Sequence, residues 1–133
     1  MSGETDLQKL LQNMKPKLNE GDYVFCIVDS SRSAIALDPL CIFQEKEGIT
    51  VIIPKEQADD AALPYSIVCA WITLRVHSSL EAVGLTAAVS KALTNENISC
   101  NVVAAYHHDH IFVPVQDAEH AMNTLYKLTA DPV

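Results

Sequence analysis

Polar and apolar positions change period many times along this chain, and each change marks an element. Leu7, Leu10, Leu11 and Met14 recur at helical spacing. Thr5-Asp6-Leu7-Gln8, at their start, fits a capping box, so a first helix is predicted there, and Pro16 stops it. "DYVFCIVD" (22–29) reads as a strand, and "SSRSAIALDP" as a polar loop with a short apolar middle. "LCIFQEKEGITVIIP" reads as a hairpin with Glu47-Gly48 at its turn, where glycine can take a positive φ. A short helix, "KEQADDAAL", is predicted after Pro54, and Pro64 closes the segment.

The second half opens with "YSIVCAWITLRV". Val68, Ala70, Ile72, Leu74 and Val76 make one uniformly apolar strand face. Ile67, Cys69, Trp71, Thr73 and Arg75 make the other, which turns polar toward its end. Leu85, Ala88, Val89, Ala92 and Leu93 form a helical stripe that Asn95 to Asn97 end. "ISCNVVAAY" and "HIFVPV" are predicted strands. Asp117 suits the N-cap of a last helix with Ala118, Ala121, Met122, Leu125 and Tyr126 on its inner face. The order is β-α-β-β-α.

The halves share a short internal repeat. "VIIPKEQADDA" (51–61) aligns without gaps on "IFVPVQDAEHA" (111–121), each with three apolar residues, Pro, and two alanines at matching positions. This register lays His107-His108 over Glu47-Gly48, so the "HHDH" cluster at 107–110 is expected at a hairpin tip.

Composition narrows the possible functions. The 133 residues suit one domain or two very small ones, and 49% are apolar, enough to bury a core. The net charge is −8, from nine basic and seventeen acidic residues, with no Lys/Arg cluster. Nucleic acid and an anionic membrane surface are therefore not expected partners. The longest apolar run, Ile67 to Leu74, is far too short to span a bilayer, and "MSGETDLQKLL" lacks the features of a secretory signal. Cys26, Cys41, Cys69 and Cys100 form no C-x-x-C pair and read as reduced thiols of a cytoplasmic protein.

The His cluster invites two chemical readings. As a metal site it lacks ligands: in an extended chain His107 and Asp109 share one face while His108 and His110 share the other. Only two ligands converge, whereas zinc usually needs three from the protein. As an acid/base pair, His beside Asp is suitable chemistry. Yet no G-x-S-x-G and no phosphate-cradling glycine loop accompanies it, and Cys100 and Ser78 lack the context of nucleophiles. No metal and no cofactor are expected.

Three stretches, in order, carry a family resemblance. They are the strand 67–76 followed by "SSLEAVGLTAAVSKAL", then "NISCNVVAAY", and then "HDHIFVPV" with the final helix. Together they resemble an ACT domain, the small β-α-β-β-α-β module that binds amino acids in metabolic regulators. Asp-His-x-x-Val-Pro at 109–114 is similar to a pattern in ACT-type arginine sensors. The whole chain resembles small bacterial stand-alone proteins with two ACT-like halves. The resemblance implies an α+β fold of two ferredoxin-like βαββαβ modules, with antiparallel sheets and helices on one face. Residues 1–63 form a degenerate first module and residues 64–133 the second. Val83 stands where such loops often carry proline before the glycine.

The resemblance also implies a site. It places Ser79, Leu80, Glu81, Val83, Gly84 and Leu85 in a binding loop, with Gly84 letting the backbone turn tightly into the start of the helix. Free N–H groups at that start suit the carboxylate of an amino acid. Asp109, on the neighbouring hairpin, could accept from its α-ammonium group or from a basic side chain. The competing reading is a helix that starts at Ser78 with Ser78–Glu81 as a capping box. His110 is expected to hold the hairpin. Trp71, on the less covered face, suggests a homodimer. The reading that follows is a non-catalytic amino-acid-binding regulator. Its alternatives are a metal- or His/Asp-dependent enzyme and a ligand-free dimerisation module.

Overall fold

A computed structural model describes residues 6–76 and 84–130. Its compact units are Gly21–Cys69 on one hand, and the chain through Glu20 together with the chain from Ala70 on the other. The sequence repeat divides the chain at residue 63 instead. The two divisions differ because a strand from the first twenty residues is built into the second-half sheet.

In the Gly21–Cys69 unit, β2 (Tyr23–Val28) and β3 (Cys41–Gln44) flank β4 (Ile49–Pro54), all antiparallel. Val24, Cys26, Val28, Val51 and Ile53 alternate onto one face and are buried under Ala34 of α2 (Ser31–Ala36) and Ala58 of α3 (Lys55–Asp60). The segment at 31–36 was expected to be loop. It is helical because Ser30 caps it, accepting from Ser33 N at 3.1 Å, and because its small Ala34 can sit fully buried on the sheet. A six-residue stretch with one inward position leaves too little periodicity to read.

In the other unit, β5 (Cys69–Arg75) lies between β1 (Lys15–Leu18) and β7 (Asp109–Pro114), and β6 (Asn101–Ala104) pairs with β7. Ala70, Ile72, Leu74, Ile111 and Val113 bury their face under α1 (Leu7–Asn13), α4 (Leu85–Asn95) and α5 (Ala118–Ala130). Leu10, Leu11, Leu93 and Leu125 are each at most 1% exposed. Asp6 caps α1, accepting from Gln8 N and Lys9 N. After the helix the chain turns into β1, where Pro16 faces Leu74 in a four-residue strand. Asp117 ends a 3-10 turn (Val115–Asp117) directly before α5. One further expectation is corrected: Tyr126 points outward at 53% exposure.

The repeat extends to the backbone. Strands β3 and β4 recur as β6 and β7 at a constant offset of 60 residues (41 to 101, 49 to 109). The turn bonds match as well: Glu45 N donates to Gly48 O, and Ala105 N to His108 O. Pro54 and Pro114 share one conformation (φ −57°, ψ 142° and φ −53°, ψ 138°) and end their strands at the entry to a helical segment.

Candidate functional site

Of the residues assigned to the binding loop, Ser79, Leu80, Glu81 and Val83 lie outside the described residues. Gly84, Leu85 and Asp109 are described, all in the unit that contains α1, α4 and α5. Gly84 is left-handed at φ 100°, which a right-handed helix cannot pass through, so α4 begins at Leu85. The competing reading of a helix from Ser78 falls on residues 77–83, which lie outside the described residues. Ala88 N donates to Gly84 O at 2.8 Å, while the amides of the first turn of α4 have no acceptor within the helix. A Cβ on Gly84 would lie 3.2 Å from Leu7 Cδ2, so the first turn of α1 covers the glycine. Leu7 appeared in the sequence only as part of an apolar stripe. Its partner, far along the chain, left no local signal.

Asp109 opens β7 opposite Ala104. Alternation puts its side chain on the face of Ile111 and Val113, the face the helices cover. Burial pushes its carboxyl above the ordinary range, while His110 and His108 beside it pull the other way. At the turn, His108 Nδ1 is buried with no hydrogen-bond partner among the described residues. This edge of the unit therefore holds a partly desolvated carboxylate and an unsatisfied ring nitrogen.

His110 points to the other face of the sheet. Trp71 Nε1 donates to His110 Nδ1 at 3.0 Å, and Thr73 Oγ1 lies 3.1 Å from the same nitrogen. Asn19 Nδ2 donates to Thr73 Oγ1 at 2.9 Å and to Trp71 O at 3.2 Å. Indole N–H is only a donor, so Nδ1 must be unprotonated and the neutral ring carries its proton on Nε2. The Thr73 hydroxyl, accepting from Asn19, donates to the same nitrogen. Asn19 was not anticipated, because its partners lie more than fifty residues away.

A pH prediction follows. Burial first, and His108 second, lower the pKa of His110, with Asp109 opposing. A lowered folded pKa means that the unfolded chain takes up the proton first. The stability contribution is complete above the ordinary value of 6.5 and is lost as pH falls from there through the folded value. Trp71, the only tryptophan, reports it. Its fluorescence should change as pH is lowered from about 7 to about 5, and His110→Gln should abolish that step. An unchanged step in this variant would assign it to another group.

The other chemistry considered in the sequence finds little support. Cys26, Cys41, Cys69 and Cys100 are free. Burial raises the thiols of Cys26 and Cys69 and pushes Cys100 up to about 11, which makes them poor nucleophiles at neutral pH. Among the described residues no three His, Cys, Asp or Glu side chains gather as metal ligands. No helix among them is long and apolar enough to cross a membrane.

Two family profiles, each described as an ACT domain, match residues 2–70 and 66–127. The chain belongs to the ACT domain family. Both halves are matched, so the first is an ACT domain as well as the second. A solved Vibrio cholerae protein of unknown function, described as a possible transport protein, is 45% identical. The alignment covers 92% of this chain and 95% of that one, with a TM-score of 0.86. An Agrobacterium tumefaciens protein is 17% identical over 87% of this chain and 89% of its own, with a TM-score of 0.68. The regulatory subunit of aspartate kinase from Thermus thermophilus, in its ligand-free form, has a TM-score of 0.56 at 11% identity, covering 84% and 95%. The last two show likeness of fold. No curated protein matches the chain. Membership of the ACT family fits a regulatory, ligand-binding role.

Proposed function

We propose that the protein is a non-catalytic regulator that binds an amino acid between the loop 79–85 and the start of β7. The observation that carries the reading is the partly desolvated carboxylate of Asp109 next to His108, whose buried Nδ1 has no hydrogen-bond partner among the described residues. A carboxylate short of solvent gains most from a cation placed against it. The first-turn amides of α4 supply a place for the opposite end of the ligand, an α-carboxylate, favoured by the helix dipole. Ser79, Leu80, Glu81 and Val83 would line the loop between them, and Gly84 permits its close turn.

The free thiols agree with a cytoplasmic setting. A homodimer belongs to the same reading, although Trp71 no longer motivates it, being half-buried and bonded within its own sheet. Edge strand β3, with Phe43 67% and Ile42 41% exposed, motivates it better. A light-scattering mass of one chain would remove the dimer from the reading.

A thermal-shift screen over the twenty amino acids tests the function. A ligand at a hundred times its Kd stabilises by about 2.7 kcal/mol, a shift of about 5 °C or more for a chain of this size. Asp109→Ala should leave the unliganded melting point nearly unchanged and remove most of the shift. A full shift in this variant would show that Asp109 is only a hairpin residue.

A further inference from the structure

The Gly21–Cys69 unit carries a cleft of about 620 Å³, within the range of small-ligand sites. Its wall is apolar, formed by Val28 at the end of β2, Ala36 and Leu37 at the end of α2, and Leu63 beyond α3. Two acidic residues, Asp29 and Glu47, stand in the lining, and among the described residues no lysine, arginine or histidine does. Glu47 reaches the cleft because the β3–β4 turn lies against the end of β2. A Cβ on Gly48 would lie 2.7 Å from Ile27 Cδ1 and 3.2 Å from Val28 O, so any side chain there would have to push the Ile27 side chain aside and press on the backbone.

We propose that this cleft binds a small organic amine: a cation on an apolar body, without a carboxylate. Charge complementarity makes the choice. The ammonium group meets Asp29 and Glu47, and the apolar body covers Val28, Leu37 and Leu63. An amino acid would bring its own carboxylate to a lining that holds two and, among the described residues, offers no cation to pair it. The net charge of −8 adds a long-range field that concentrates cations and disfavours anions. The ligand class and the unit both differ from those of the amino-acid site proposed above.

The test is an NMR titration of the full chain with 2-phenylethylamine, read at the methyl groups of Leu37 and Leu63. Phenylalanine, which adds a carboxylate, and the uncharged 2-phenylethanol are titrated as probes with the same phenylethyl body. The amine should shift these resonances saturably, and both other probes should bind there more weakly. Asp29→Asn and Glu47→Gln, at exposed positions, should each weaken the amine about threefold to fivefold, and together about tenfold. Raising salt from about 0.05 M to about 0.5 M should weaken it as well. Equal shifts by the alcohol, full affinity in the doubly neutralised variant, or no saturable shift would overturn the proposal. Such a failure leaves the amino-acid reading standing if Asp109→Ala still removes an amino-acid thermal shift. Failure of that reading, in turn, leaves the Leu37 and Leu63 resonances to decide this one.

Discussion

Gly84→Val should lower folding stability by about 2–5 kcal/mol. Part of the loss is conformational. Gly84 sits at φ 100°, where a side chain costs about 1–2 kcal/mol, and more when branched at Cβ. The rest is steric. The new Cβ lies 3.2 Å from Leu7 Cδ2, and overfilling a packed site costs about 1–3 kcal/mol. Urea unfolding followed by Trp71 fluorescence measures the sum. A double-mutant cycle with Leu7→Ala separates the parts, because shortening Leu7 relieves only the steric share. A coupling of about 1 kcal/mol or more is expected between the two changes. Any amino-acid-induced thermal shift should shrink too, because the altered turn displaces the start of α4. A loss below about 0.5 kcal/mol, the range of an ordinary surface change, would mean that the turn does not need the left-handed conformation.

Leu11→Ala should be the other large effect, about 2–5 kcal/mol, through a cavity in a core where Leu11 is 1% exposed. Its interest is where the loss is felt. Leu11 precedes the β-α-β-β-α order by more than fifty positions, yet it packs with Leu74, Leu93 and Leu125. The unfolding transition reported by Trp71 should therefore move to lower denaturant. A residue on an independent leading segment would leave it in place. No change in the Trp71 transition, with α1 shown by circular dichroism to be lost, would separate the first twenty residues from that core.

The sequence alone determined much of the local order. Alternation at 68–76 forces a strand because successive side chains point to opposite faces, and Ala70, Ile72, Leu74 and Val76 are indeed buried. The spacing of Leu85, Val89 and Leu93 gives α4 its inner face for the corresponding reason. Gly48 made the first hairpin legible, and the repeat made the second so: the offset of 60 between 51–61 and 111–121 is the offset of the strands themselves. The family was legible too, because its signature is this same succession of elements around one loop.

What the sequence could not determine are pairings between distant residues. Pro16 reads as a helix stop, and only its neighbour Leu74 turns the segment after α1 into a strand. The "SSRSAIALDP" stretch reads as loop because a single buried position, Ala34, sets no period. The four members of one hydrogen-bonded cluster, Asn19, Trp71, Thr73 and His110, come from three separate strands or their flanks. Leu7 against Gly84, and Gly48 against Ile27, are likewise approaches across the fold. A local pattern fixes which face a residue presents, through backbone geometry that extends over a few residues. Which surface that face meets is decided by closing long loops around a shared core, and no window of the sequence contains both partners.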